Sequence, residues 1–104
     1  RAAAALCESG APFDAIFAVC DEMALGALKE LTRRGIAIPG AVGIVGFDGI
    51  RAGGWSTPPL TSVEPDFQMA GTLLVDQLLA KINGTEGSGR RVPVKLVVRG
   101  STRA

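Results

Sequence analysis

Phe13-Asp14-Ala15-Ile16-Phe17-Ala18-Val19-Cys20-Asp21-Glu22-Met23-Ala24-Leu25-Gly26-Ala27-Leu28-Lys29-Glu30-Leu31 is the stretch whose reading decides the fold. Its first part, from about Ala15 to Val19, is an apolar run rich in Ile, Phe and Val, the pattern of a buried strand. Two acids follow at once, and then an Ala/Leu-rich segment with helical spacing. A strand feeding directly into a helix, with carboxylates at the junction, is half of a βαβ unit. In open parallel sheets ligands bind just outside the carboxyl ends of the strands. Asp21 stands at such an end.

The same grammar recurs on either side. Residues 1 to about 9 read as a helix that Gly10 ends, because glycine tolerates the left-handed conformation, and Pro12 prevents its continuation. The helix opening at Asp21 or Glu22 extends to Arg34. Asp21 suits the positive end of the helix dipole, and Lys29, Arg33 and Arg34 gather at the other end. Ala24, Ala27, Leu28 and Leu31 form one stripe at i, i+3, i+4, i+7 and are expected to pack on the sheet. Leu25 lies about 100° off that stripe, an apolar residue expected to be aimed away from the core face. Gly35 caps this helix.

Val42 to Phe47 is a second apolar run, read as another buried parallel strand joined by a right-handed crossover. Asp48 follows immediately. Residues 49 to 60 form a loop with room for a short helical turn. Thr61-Ser62-Val63 is a brief strand. Pro65-Asp66 opens a long helix to about Asn83, with Phe67, Ala70, Leu74 and Leu78 on one face. Met69, Leu73, Val75 and Leu79 spread well outside it, so the helix is apolar around more surface than one contact covers. Gly84 to Arg91 is polar and Gly/Ser-rich, and Val92 to Arg99 is the last strand.

Bulk properties narrow the function. With 104 residues, 47% hydrophobic and 20% charged, the chain is globular and large enough for one modest core. A net charge of +1 carries no electrostatic footprint for nucleic acid. There is no histidine and no tyrosine. That removes Ser-His-Asp and Cys-His catalysis and His-ligated metals. Cys7 and Cys20 match no metal spacing, and a reduced, intracellular setting is the simpler reading. No apolar run approaches the ~18 residues of a membrane helix. The chain begins with Arg1, inside a helical pattern, and is expected to be a piece of something longer.

Two aspartates, Asp21 and Asp48, each follow a strand. Neighbouring parallel strands lie ~5 Å apart, so the two carboxylates fit one crevice, where they would accept hydrogen bonds from a small polar ligand. Taken singly, each is also a cap or turn former; the pairing at equivalent strand ends favours a crevice. Cys20 beside Asp21 has no partner base and an adjacent carboxylate disfavours its thiolate, so a small buried hydrophobe is the expected role. Glycines 43, 46 and 49 span a strand and make no phosphate loop. Trp55 either packs beneath Pro58-Pro59 or anchors a partner surface, where Trp is enriched; Leu25 fits the second idea.

Phe-Asp-Ala-Ile-Phe-Ala-Val-Cys-Asp-Glu-Met-Ala-Leu-Gly-Ala-Leu, then Ile-Pro-Gly-Ala-Val-Gly-Ile-Val-Gly-Phe-Asp-Gly, then Thr-Pro-Pro-Leu-Thr-Ser-Val and the closing Leu-Val-Val-Arg-Gly-Ser-Thr resemble, in order, the C-terminal third of the lactose/galactose-repressor (LacI) family. The resemblance covers nearly the whole chain. It implies an α/β fragment, three-layered with a mainly parallel sheet and flanking helices, belonging to a type I periplasmic-binding-protein fold. Residues 1–60 would lie mainly in the C-terminal lobe, 61–91 would cross to a helix of the N-terminal lobe, and 92–104 would form the closing strand and tail.

On the same resemblance the parent is a cytoplasmic bacterial transcriptional regulator, expected to be a repressor. This part would bind a small-molecule effector, a sugar or similar, and form a homodimer. Operator DNA would be met only through an N-terminal domain absent from this chain, with no membrane, cofactor, metal or catalysis involved. The implied effector residues are Asp21, Asp48, Phe67 and the position of Cys20; the implied dimer residues are Leu25, Ala52, Trp55 and Ser56. Cys20 stands where the family usually has Asn, Gly49 replaces a second acid, and Pro65 takes an often polar position. These departures point to an effector that is less polar or recognised mainly by residues outside this chain. With most of the N-terminal lobe absent, Met69, Leu73 and Leu79 are expected to be hidden by pairing or domain exchange. Two other readings remain: a periplasmic solute (sugar)-binding protein of a transporter, and an α/β enzyme using Asp21 and Asp48 as acid and base.

Overall fold

A computed structural model describes residues 1–103. The elements are α1 (Ala2–Glu8), β1 (Ala15–Phe17), α2 (Asp21–Arg33), β2 (Gly43–Phe47), α3 (Arg51–Trp55), β3 (Thr61–Pro65), α4 (Phe67–Ile82) and β4 (Val94–Val97). The sheet order is β1-β2-β3-β4. β1 and β2 pair in parallel with Ile16 beside Ile44, and β2 and β3 pair in parallel with Phe47 beside Val63. The chain divides into two compact units, one of residues 1–64 and 96–104, the other of residues 65–95.

The core of the first unit is the expected stripe of α2 against β2. Ala24, Ala27, Leu28 and Leu31 are buried with Ala18, Val42, Ile44 and Leu60. Burying such aliphatic side chains supplies about 1.5–3 kcal/mol each for the larger ones. α2 ends as its sequence demands. Gly35 takes φ +74°, its N–H donates to the Thr32 carbonyl, and the Ile36 N–H donates to the Leu31 carbonyl. That is a Schellman closure, which needs a residue at ease with positive φ.

Two expectations are corrected here. β1 is three residues long and lies at the sheet edge, so Ala15 and Phe17 are exposed and Ile16 is only half-buried. Its apolar run is that of a strand covered on both faces, but among the described residues only β2 pairs with it. Leu25 does not point away from the core: it is half-buried and packs against the core cluster. A 100° offset still leaves a leucine side chain in reach of the groove flanking the stripe.

The second unit is α4 with the segment that follows it. Asp66 caps the helix by accepting from the Met69 N–H at 2.9 Å. Gly84, at φ +73°, donates to the Lys81 carbonyl and Thr85 N–H to the Ala80 carbonyl. Gln77 Nε2 donates to the Ser88 carbonyl. No residue of α4 is buried; Leu73 is half-buried, while Met69, Leu74, Val75, Leu78, Leu79 and Ile82 are exposed.

Candidate functional site

The segments that follow β1 and β2 and the first half of β3 are tied together by one side chain. Asp21 is the first residue of α2, placed there by Cys20, whose extended backbone (φ −152°, ψ 160°) turns the chain from strand to helix. Cys20 makes no side-chain cap and is half-buried. Asp21 is fully buried. Its Oδ2 accepts from the Ile50 N–H at 2.8 Å, and its Oδ1 accepts from the Ser62 hydroxyl at 2.6 Å. Ser62 Oγ in turn accepts from the Gly49 N–H at 3.2 Å. A buried carboxylate requires such donors, since an unpaired one costs several kcal/mol or more.

This network holds the turn that follows β2. The Asp48 N–H continues the ladder by donating to the Val63 carbonyl at 2.9 Å. Asp48 has φ +111°, and no other non-glycine residue among those described has positive φ. Such a conformation costs about 1–3 kcal/mol and persists only where the surroundings over-determine it. Here the next two amides, Gly49 and Ile50, are both bound. Gly49 itself takes φ +73°, and a side chain there would run into Glu64. Glu64 is positioned by Arg99, whose Nη2 donates to Glu64 Oε1 at 3.0 Å while its Nη1 donates to the Leu60 carbonyl at 2.8 Å. Asp48 is half-buried and so retains access to solvent.

The predicted residues are thus divided. Asp21 and Asp48 are joined through the backbone of the 48–50 turn, but Asp21 is sealed in protein, whereas Asp48 reaches the surface. Phe67 belongs to the second unit, where it is exposed on the first turn of α4. Of the residues read as a partner surface, Ala52 is exposed and Trp55 is 80% exposed. The reading that packs Trp55 beneath Pro58-Pro59 is therefore corrected: α3 carries the indole outwards. Ser56 is half-buried, with its hydroxyl within 2.9 Å of the Gly53 and Pro58 carbonyls.

Ser62, Ile50, Glu64 and Arg99 were not legible as site residues. Ser62 sits in a strand between Leu60 and Val63, and a polar residue at such a position is itself a signal of a buried hydrogen bond. A groove of about 490 Å³ lies elsewhere, lined by residues of α1, β1, α2 and the β1–α2 connection, including Leu6, Phe17, Val19 and Met23. It takes in none of Asp21, Asp48 or Ser62. Among the described residues no group of three or more Cys, Asp or Glu side chains is disposed to hold a metal ion, and no helix is long and apolar enough to cross a membrane.

The chain is similar to known proteins over its whole length. Residues 1–102 match the model of the periplasmic binding protein-like domain. The HTH-type transcriptional repressor CytR of Escherichia coli (strain K12) is 38% identical over 97 residues, which is 89% of this chain and 28% of that repressor. A LacI-type transcription regulator from Bifidobacterium animalis subsp. lactis superposes with a TM-score of 0.88 at 37% identity, covering 100% of this chain and 38% of that one. A LacI family regulator from Arthrobacter sp. FB24, solved in complex with lactose, superposes at 0.84 with 34% identity, covering 98% of this chain and 39% of that one. This chain therefore spans about a quarter to two fifths of the proteins it resembles. With its matching domain, its parallel sheet and these relatives, the chain belongs to the LacI family of transcriptional regulators, as part of their periplasmic-binding-protein-like effector-binding domain.

Proposed function

We propose that this chain supplies part of the effector site and of the homodimer surface of a cytoplasmic transcriptional repressor, and that Asp48 is the effector contact it contributes. The observation that carries this is the backbone of Asp48: a strained, half-buried carboxylate at the end of a parallel strand, held by the hydrogen bonds of Asp21 and Ser62. Strain maintained by a buried network is characteristic of functional sites. The carboxylate accepts hydrogen bonds from hydroxyl or N–H groups of a small polar ligand, lactose in the Arthrobacter relative's complex being one example of such a molecule.

The module binds and transmits and performs no chemistry of its own. Ala52 and Trp55 on α3, both exposed, support the dimer reading. DNA contact belongs to the part of the regulator outside this chain. The test is a thermal-shift screen of the full-length protein against mono- and disaccharides, nucleosides and purines, followed by calorimetry of any ligand found. Asp48→Ala is expected to weaken that ligand at least tenfold; unchanged affinity removes Asp48 from the site.

A further inference from the structure

We propose that Asp21 is a positioning residue that couples the 48–50 turn to helix α2, so that a displacement at the turn is delivered to the N-terminus of that helix. A carboxylate at a helix start is usually explained by capping or by the helix dipole. Capping does not explain this one, and the dipole, which favours an acid here, does not account for where its bonds run. The N-cap of α2 is Cys20, and the bonds of Asp21 run out of the helix, to Ile50 and Ser62, 29 and 41 residues along the chain.

Three elements converge on one side chain: α2 through its own backbone, the turn through the Ile50 amide, and β3 through the Ser62 hydroxyl. The Gly49 amide joins by way of Ser62 Oγ. The acceptor end of each of these bonds lies in protein, for Asp21 and Ser62 are fully buried, while the Ile50 and Gly49 amides are half-buried. Water cannot replace a bond that is broken there, so the donors and the carboxylate either move together or lose charge-assisted bonds in a medium where these are costly to lose.

The packing is tight on the Oδ1 side of the carboxylate and ordinary on the Oδ2 side. A Cβ at Gly46 would overlap Asp21 Oδ1 and come within 3.1 Å of Leu60 and 3.2 Å of Ala24. Gly53 faces the other oxygen: a Cβ there would stand 3.7 Å from Asp21 Oδ2 and 3.4 Å from Leu60. Close packing of this kind transmits strain. At the receiving end, the first turn of α2 carries Met23, exposed, and Ala24, in the core. The proposal rests on the reading of Asp48 only in naming an effector as the natural source of the displacement.

The experiment needs no ligand, so its outcome is separate from that of the Asp48 titration. In the full-length protein, Gly49→Ala serves as the push, because the new methyl group sits at φ +73° and presses on Glu64. Amide hydrogen exchange is read at Ile50 and in the first turn of α2, with the Met23 methyl resonance as a second reporter. Gly49→Ala alone is expected to speed exchange at both places about tenfold and to move the Met23 methyl. In an Asp21→Asn background the response at the turn remains and that in α2 falls below twofold. Ser62→Ala is expected to behave in the same way, and it carries the test if Asp21→Asn does not fold; Ser62→Thr, which keeps the hydroxyl, restores the coupling. If Gly49→Ala itself does not fold, Asp48→Gly, which loosens the backbone of the turn instead of pressing on it, is the perturbation. An α2 response of equal size with and without the Asp21 and Ser62 bonds overturns the proposal. So does an unmoved α2 in the otherwise wild-type protein, or exchange that rises evenly across all strands, which is the mark of a side chain that only stabilises.

Discussion

The hydroxyl of Ser101 donates to the Ile44 carbonyl at 2.6 Å, joining the closing segment to the middle of the sheet across 57 residues. The same oxygen accepts from the Thr61 N–H at 2.8 Å, and the Ser101 carbonyl accepts from the Ile44 N–H at 2.8 Å. Ser101 is fully buried. Removing its hydroxyl leaves a backbone donor on β3 and an acceptor on β2 without their partner. Leaving such groups unsatisfied costs about 1–3 kcal/mol each. Ser101→Ala is therefore expected to lower unfolding stability by at least about 2 kcal/mol, seen as a lower urea midpoint at unchanged slope. A midpoint equal to wild type would show that the segment is not held by this hydroxyl.

Gly46 and Gly53 provide a paired test of packing around Asp21. A methyl group at 46 overlaps the carboxylate and crowds Leu60 and Ala24, whereas one at 53 meets nothing closer than 3.4 Å. Overpacking a filled core costs about 1–3 kcal/mol. Gly46→Ala is expected to fall in that range. Gly53→Ala, in a helix where alanine is the better former by about 1 kcal/mol, is expected to be neutral or stabilising. Thermal denaturation of the two variants decides it; equal losses would mean that the oxygen of Asp21 yields readily.

What the residues announced in advance was local and periodic. The α2 stripe was legible because Ala24, Ala27, Leu28 and Leu31 repeat at helical spacing, and the helix ends because Gly10, Gly35 and Gly84 all take positive φ. What stayed hidden depends on partners distant in sequence. The exposure of β1 follows from its edge position, and an apolar run does not say which strands flank it. The strained backbone of Asp48 has no signature in residue type. The role of Asp21 depends on Ile50 and Ser62, and the Gly49–Glu64–Arg99 contact joins three segments that no spacing rule relates.

The φ of +111° at Asp48 predicts opposite effects of two substitutions on one residue. Asp48→Gly relieves the strain at some cost in unfolded-chain entropy, and a net gain of about 1 kcal/mol is expected. Asp48→Ala keeps a Cβ in the strained conformation and is expected to bring no gain. Both remove the carboxylate, so both are expected to weaken ligand binding alike. Unfolding curves beside calorimetry separate the effects. A Gly variant no more stable than the Ala variant would mean that Asp48 is not held under strain.

Acid titration of Glu30 is the fourth expectation. Its carboxyl is held down to about 2, first by the two hydrogen bonds from Arg33 and then by the one from Arg34. Arg34 also reaches Glu8 on α1 at 2.9 Å, so this cluster joins the two helices. A carboxylate whose folded pKa lies below its unfolded value adds stability that is complete above the unfolded value. It fades as pH falls towards the folded one. The contribution of Glu30 should therefore be constant from neutral pH to about 4.5 and then decline towards about 2. Arg33 faces solvent and Glu30 and Arg34 are half-buried, so these ion pairs are still weak and open to screening by salt. The test is consequently a difference: wild type against Glu30→Gln, unfolded at steps of pH in low salt. The gap is expected to narrow across that acidic window and to shrink in 1 M salt at neutral pH. A gap that stays level from neutral pH to 2 would assign the effect of the substitution to lost packing rather than to the ion pairs with Arg33 and Arg34.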